Sequence, residues 1–113
     1  MVVDDDPDIR AALRICLGSE GFEVQSCADG QDAINSLDAG ALPQAMILDL
    51  MMPRMNGFEV LEALKLKAAW SRIPVVVVSA NRGYSAEDLG VVSVLRKPFE
   101  LEELVGTLRA IAA

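Results

Sequence analysis

The run "IPVVVVSA", from Ile73 to Ala80, constrains the fold more than any other part of the sequence. Its four consecutive valines show no alternation between apolar and polar residues. A strand with one face in water normally alternates, whereas a strand buried on both faces reads as a continuous β-branched run. Strands of that kind are typical of parallel sheets with helices on both sides. The run therefore predicts the central strand of an α/β domain.

The rest of the chain alternates between short β-rich runs and helical patterns. The predicted strands are Met1–Val3, Phe22–Cys27, Ala45–Leu48, Ile73–Val78 and Val91–Leu95. Asp6 is placed to cap a first helix that has Pro7 at its first position. Residues 29–38 and 57–69 predict two further helices, and an apolar stripe predicts the last: Leu101, Leu104, Val105, Leu108 and Ile111. Strands that alternate with helices predict a doubly wound, five-stranded parallel sheet.

The connection between the last two strands is unusually short. Only residues 80–90 remain for it, close to the minimum of roughly 10–12 residues for a crossover between parallel strands. The spacing Ser85-x-x-Asp88 could cap a helix of a turn or two. Tyr84 and Leu89 are the only large apolar side chains that could anchor it. We therefore predict a shortened and mobile fourth helix, beginning near Ser85.

Composition limits the classes of function. A chain of 113 residues fits a single domain, 1–113, and the formal net charge of −7 argues against direct binding to nucleic acid. The absence of a leader and of an apolar run near 18 residues predicts a cytoplasmic protein that does not enter the membrane. The opening strand is short, so we expect the natural chain to begin a few residues earlier.

The chain contains no histidine, which removes Ser/His and Cys/His nucleophiles and histidine-based zinc sites. Cys16 and Cys27 do not form a C-x-x-C pair, and both fall in apolar patterns. We expect them to be small buried thiols. Any chemistry must therefore use carboxylates, hydroxyls and lysine.

Polar side chains follow four of the predicted strands. Ligands of open α/β sheets bind at the carboxyl ends of the strands. The residues delivered to that edge are Asp4, Asp5, Asp49, Ser79 and Lys97. Each alone has an ordinary explanation, as a helix cap, a turn hydroxyl or a surface charge. Their occurrence at one edge of the sheet favours a functional site.

Carboxylates held together at a strand end suit a hard divalent cation such as Mg²⁺, which prefers oxygen ligands. Such a cation cancels the repulsion between the acids and keeps them ionised. With Lys97 as a further positive charge, the site is suited to a phosphoryl group. An aspartate can itself be the nucleophile and form an acyl phosphate.

Four segments, "VVDDD", "ILDLMMPRMNG", "VVVVSA" and "LRKPF", resemble in order and spacing the receiver domain of two-component response regulators. The resemblance covers essentially the whole chain and implies a flavodoxin-like fold. It implies that Asp49 accepts a phosphoryl group from a histidine kinase or phosphotransfer protein. Ser79 would then hydrogen-bond a phosphoryl oxygen, and Lys97 would pair with it. A domain of this kind promotes its own phosphorylation and hydrolysis and is not otherwise an enzyme.

The resemblance also implies a magnesium site. Asp5 and Asp49 would bind Mg²⁺ directly, Asp4 through water, and the backbone carbonyl of Met51 would complete the protein ligands. A monomer or weak homodimer that acts on an unspecified effector would fit this function.

The resemblance also has implications for the loops around the site and for the conformational change on phosphorylation. Pro53 and Gly57 would shape the loop after Asp49, and a cis peptide bond would precede Pro98. Val94 stands where many receivers carry a switching aromatic residue. We therefore expect phosphorylation to be reported by ordering of the short crossover more than by a ring rotation.

Three alternative functions can be weighed against this interpretation. A flavin carrier would need a hydroxyl- and glycine-rich phosphate loop, whereas "DDDPD" would repel a flavin phosphate. An aspartate-based phosphatase would need an acid at position 51, which is Met51. A degenerate receiver that only binds other proteins stays open, because the crossover is short, although the intact set of site residues argues against it.

Overall fold

The computed structural model describes residues 1–81 and 83–112, so Arg82 in the predicted crossover and Ala113 lie outside the described residues. Five parallel strands form one sheet in the order β2-β1-β3-β4-β5. They are β1 (Val2–Val3), β2 (Ser26–Cys27), β3 (Met46–Asp49), β4 (Val75–Ser79) and β5 (Ser93–Arg96). The predicted α/β fold with a five-stranded parallel sheet is confirmed.

Strand β4 has the environment that its valine run predicts. It lies between β3 and β5, and all five of its residues are buried. The second strand, in contrast, is shorter than the predicted Phe22–Cys27. It lies at the edge of the sheet, where Ser26 and Cys27 pair with Val2 and Val3 of β1.

Helices cover both faces of the sheet. They are α1 (Pro7–Ser19), α2 (Gly30–Asp38), α3 (Gly57–Leu64), α4 (Ala68–Ser71), α5 (Ala86–Leu89) and α6 (Leu101–Ala112). Buried side chains of α1 and α6 form the core of one face with β1, β3 and β4, and those of α2, α3 and α4 form the core of the other. No helix in the described part of the chain is both long and apolar enough to span a bilayer.

The prediction of a single helix over residues 57–69 is wrong. Helix α3 ends at Leu64, and Lys67 adopts an extended conformation before α4 begins. Ala68, which an uninterrupted helix would turn inward with Leu61 and Leu64, is exposed, whereas Trp70 is buried. The break turns the indole of Trp70 into the core, and the Lys67 ammonium lies 4.3 Å from the centre of its ring.

The crossover between β4 and β5 carries the shortened helix that its length predicts. Ser85 caps α5 by accepting a hydrogen bond of 3.0 Å from the amide of Asp88. The four-residue helix ends at Gly90, whose φ of 68° suits glycine. Tyr84 packs edge-on against Phe58 of α3, with 5.1 Å between ring centres, and so attaches the segment to the core.

The cysteines differ from each other in burial. Cys27 is buried in β2, as predicted, but Cys16 on α1 is only half-buried, and both thiols are free. The prediction for Cys16 failed because its position lies at the border of the apolar face of α1, whereas Leu13 and Leu17 occupy its centre.

Candidate functional site

The site lies where the strand order reverses. Strand β1 is flanked by β2 and β3, so the chain leaves β1 and β3 toward helices on opposite faces of the sheet. Such a reversal opens a crevice at the carboxyl ends of the two strands. Asp4 follows β1 directly, and Asp49 is the last residue of β3.

Three of the predicted acids meet in this crevice. One carboxylate oxygen of each of Asp4, Asp5 and Asp49 lies within 4.8 Å of the others. Asp4 and Asp49 are buried, at 4% and 5% exposure, whereas Asp5 is exposed. The cluster thus has two acids at the bottom of the crevice and one at its rim, open to solvent.

Lys97 bridges the two buried acids. Its Nζ donates to Asp4 Oδ2 at 3.1 Å and to Asp49 Oδ2 at 3.2 Å. Burial by itself would lower the pKa of this lysine, but the two carboxylates outweigh burial and raise its pKa above the ordinary value. Lys97 therefore stays protonated and compensates part of the negative charge.

Both carboxylate oxygens of Asp49 accept hydrogen bonds. Oδ2 accepts from Lys97, and Oδ1 accepts from the backbone amide of Met51 at 3.1 Å. Burial raises the pKa of Asp49, and the Met51 amide and the Lys97 ammonium oppose that rise. The carboxylate is thus held in a fixed orientation with one oxygen toward each donor.

Ser79 ends β4 beside this cluster and is fully buried. Its Oγ accepts a hydrogen bond of 3.0 Å from the amide of Asn81, and its carbonyl accepts one of 2.9 Å from the amide of Lys97. The peptide bond between Lys97 and Pro98 is cis, as the resemblance implies. The ends of β4 and β5 are therefore tied together next to the acids.

Asp6 takes the structural role predicted for it. Its Oδ1 accepts from the amides of Asp8 and Ile9 and so caps α1. The preceding acid is fixed differently, because Asp4 Oδ1 accepts from the amide of Asp6 at 2.9 Å. The guanidinium of Arg10 donates to the carbonyl of Asp4 at 2.7 Å, a contact that sequence reasoning missed.

The loop after Asp49 turns tightly around Gly57. The amide of Gly57 donates to the carbonyl of Leu50 at 3.0 Å. A Cβ at Gly57 would lie 2.5 Å from the carbonyl oxygen of Asp49 and 2.6 Å from Leu50 Cα. Only glycine fits this approach, which agrees with the role predicted for Gly57.

Sequence reasoning also missed Asp29 and Arg54. The guanidinium of Arg54, in the loop after Asp49, donates from Nε to Asp29 Oδ2 at 3.1 Å, and Nη2 donates to the same oxygen. The sequence indicates Asp29 only as the start of a helix, and Asp29 does cap that helix by accepting from the amide of Asp32. The two residues are 25 positions apart, so no local pattern could have paired them.

The acids fit a small divalent cation. Three carboxylates and one ammonium leave two negative charges, which one divalent ion would neutralise. Ligands on opposite sides of Mg²⁺ lie about 4.2 Å apart, because each bond is about 2.1 Å long. The spread of up to 4.8 Å among the three oxygens is close to that span, and an intervening water would accommodate the rest.

A family model for the response regulator receiver domain matches residues 1–109. The chain belongs to this family. Among curated relatives, the response regulator MprA of Mycolicibacterium vanbaalenii is 38% identical, over 98% of this chain and 48% of that protein. MprA of Mycobacterium avium is 37% identical, over 98% of this chain and 49% of that protein. The receiver chain therefore spans about half the length of the curated relatives it matches.

Solved receiver structures share the fold. The chemotaxis protein CheY4 of Vibrio cholerae superposes with a TM-score of 0.87 at 29% identity, over 97% of this chain and 94% of that one. The receiver domain of the sensor histidine kinase PA1611 from Pseudomonas aeruginosa superposes with a TM-score of 0.85 at 26% identity. The superposition covers 99% of this chain and 95% of that one. The PA1611 receiver was solved with a magnesium ion coordinated in the active site cleft. The predicted resemblance is confirmed.

Proposed function

We propose that this receiver domain accepts a phosphoryl group on Asp49, from a histidine kinase or phosphotransfer protein, in a magnesium-dependent reaction. The observation that carries the proposal is the environment of Asp49. Its carboxylate is buried at the end of β3 and oriented by the Met51 amide and the Lys97 ammonium, and it lies beside two further acids. A structural carboxylate would not need so much surrounding negative charge.

In the proposed step, one carboxylate oxygen of Asp49 attacks the phosphorus of a phosphohistidine. The new O–P bond forms as the P–N bond breaks, and the electron pair passes to the histidine nitrogen, which takes up a proton. The attacking form is the ionised carboxylate, which the Met51 amide and the Lys97 ammonium favour although burial raises the pKa of Asp49, so attack from this form releases no proton. The product is an acyl phosphate on Asp49.

Lys97 and Ser79 then hold the phosphoryl group. The ammonium of Lys97 already contacts the carboxylate that is modified, so it can follow the developing charge onto a phosphoryl oxygen. Ser79 Oγ accepts from the amide of Asn81, which leaves its own hydroxyl proton free to donate. These contacts would stabilise the phosphorylated form.

Asp5, Asp49 and the Met51 carbonyl are the proposed direct ligands of Mg²⁺, with Asp4 acting through water. When bound, Mg²⁺ neutralises the charge shared by the acids and the phosphoryl group. The magnesium ion in the cleft of the PA1611 receiver supports this assignment.

Phosphorylation by a small acyl-phosphate or phosphoramidate donor with Mg²⁺ tests the site, with intact-mass measurement as the readout. Asp49→Ala should abolish the mass shift. Asp6→Ala is the matched control, because this nearby acid caps α1 and lies outside the cluster. Labelling that survives in Asp49→Ala would place the nucleophile elsewhere.

Calorimetric titration with Mg²⁺ tests the metal site without phosphate. Asp49→Asn removes one of the carboxylates and should bind Mg²⁺ clearly more weakly than the wild type. Equal affinities would contradict the assignment of Asp49 as a ligand.

A further inference from the structure

The loop between β3 and α3 rests on the beginning of α2. Two contacts hold it there. The first is the Arg54–Asp29 ion pair, in which two guanidinium nitrogens donate to one carboxylate oxygen. The second is a close approach of backbone: a Cβ at Gly30 would lie 2.6 Å from the carbonyl oxygen of Met55. The first turn of α2 therefore supports the second half of this loop.

The carboxylate of Asp29 is itself held in place, so it can hold the side chain of Arg54. It is buried, at 7% exposure, and its other oxygen, Oδ1, accepts from the amide of Asp32 at 2.8 Å. The amide of Asp32 and the guanidinium of Arg54 both lower the pKa of Asp29, so the carboxylate stays ionised. Arg54 is mostly exposed, so the more rigid partner of the pair belongs to α2.

Arg54 has an unfavourable backbone conformation for a residue other than glycine. Its φ is 64°, in the left-handed region that side chains other than glycine seldom occupy. A residue held there persists when its surroundings compensate for it. The ion pair with Asp29 supplies that compensation and thereby fixes the turn at Pro53 and Arg54.

The same loop carries the Met51 carbonyl, a proposed ligand of the metal site. The Met51 amide is held by Asp49, but its side chain is 63% exposed and packs against little. The direction of the peptide bond that follows Met51 therefore depends on how the next residues are held. Met52 is buried in the core on one side of this peptide bond, and Arg54, three positions on from Met51, is held by Asp29 at the start of α2.

We propose that Asp29 and Arg54 are positioning residues for the metal site: their ion pair holds the loop so that the Met51 carbonyl lies ready beside Asp49. The inference rests on the proposed function, because it concerns the proposed magnesium ligands. A purely structural pair would stabilise the fold and leave Mg²⁺ affinity unchanged. Loss of a positioning pair changes the free energy of Mg²⁺ binding by more than it changes the free energy of unfolding.

The test combines Mg²⁺ titration calorimetry with thermal unfolding in the absence of metal. Asp29→Asn retains an oxygen that caps α2 but loses the charge that holds Arg54. Arg54→Gly removes the guanidinium, and glycine accepts the positive φ without strain. Each should weaken Mg²⁺ binding by about tenfold, the lower end of what outer partners of metal ligands contribute.

Asp38→Asn is the matched control. It removes one carboxylate from the opposite end of α2, where Asp38 pairs with Lys67 at 3.1 Å on the surface. The change in net charge equals that in Asp29→Asn, so an effect of the overall charge of the chain on Mg²⁺ binding appears in both, while Arg54→Gly changes the local charge in the opposite sense. The control should bind Mg²⁺ as the wild type does.

The double variant with Asp29→Asn and Arg54→Gly should bind Mg²⁺ no more weakly than either single variant, because both remove the same contact. Wild-type affinity in the single variants, with lowered unfolding temperatures only, would overturn the inference and leave the proposed function intact. A wild type that binds no Mg²⁺ would instead refute the metal site and the inference together.

Discussion

Gly57→Ala is the most informative single substitution, because the structure shows what the added methyl group would meet. The new Cβ would lie 2.5 Å from the carbonyl oxygen of Asp49, 2.6 Å from Leu50 Cα and 2.9 Å from Leu50 Cδ2. The two nearest atoms are backbone atoms of the segment that carries Asp49, the proposed phosphoacceptor. They cannot move aside as a flexible side chain can, so the segment itself must shift.

The size of the shift follows from the distances. Ordinary contact begins near 3.4 Å, so the carbonyl of Asp49 would have to retreat by about 0.9 Å. Displacement of a reacting group by about 1 Å can slow a reaction by about 100-fold. We therefore expect Gly57→Ala to be phosphorylated about 100-fold more slowly than the wild type.

The same clash should reduce stability. Overpacking costs about 1–3 kcal/mol, and alanine in place of glycine in a helix recovers up to about 1 kcal/mol. A net loss of about 1–2 kcal/mol corresponds to a fall in Tm of about 5–10 °C for a domain of this size. Mass spectrometry of the phosphorylated chain and thermal unfolding measure the two effects separately.

Gly106→Ala in α6 is the control, since a Cβ there would meet nothing within 4 Å. It should raise the stability by up to about 1 kcal/mol and leave phosphorylation unchanged. If Gly57→Ala is phosphorylated at the wild-type rate and its Tm is not lowered, the close approach of Gly57 does not position Asp49.

Three further predictions concern the helix cap, the buried charge and the crossover. Asp6→Ala should lower the free energy of unfolding by about 1 kcal/mol in urea titrations, with labelling retained; loss of labelling would contradict its role as a cap. Because burial raises the pKa of Asp49, the folded chain holds that proton more tightly than the unfolded chain, so stability falls as pH rises above the ordinary value of 3.8. Asp49→Asn, measured in urea with a metal chelator, should therefore gain stability relative to the wild type as pH rises from 3.8 to the raised pKa of Asp49 and keep that gain above it, and a constant difference across this range would refute this reasoning. Hydrogen exchange at Asn81 and residues 83–90 should slow when a phosphoryl mimic and Mg²⁺ are added, and unchanged protection would mean that the crossover does not report activation.

Much of the fold could be predicted because it depends on local patterns. The valine run of β4 indicates a strand buried on both faces, since hydrophobic periodicity is a property of neighbouring residues. The cap at Asp6 and the short helix after Ser85 also follow from residues two to four positions apart. The meeting of Asp4, Asp49 and Lys97 follows from the strand ends, because parallel strands end at one edge.

Local patterns failed where a distant contact decided the outcome. The helix predicted through residue 69 breaks because burial of the Trp70 indole in the core contributes more free energy than a continued helix would. Two neighbouring aspartates also differ in burial: Asp4 is buried and Asp5 is exposed. Their sequence context is nearly identical, and only the packing of β1 distinguishes them.

The sequence by itself therefore determined the order of the elements and which side chains reach the edge of the sheet. The tertiary structure alone decided how those side chains are supported. Asp29 and Arg54 meet only because α2 and the loop after β3 cover the same face, and Gly30 and Gly57 are needed only where separate segments touch. Contacts between segments distant in the chain depend on packing, and local periodicity does not predict them.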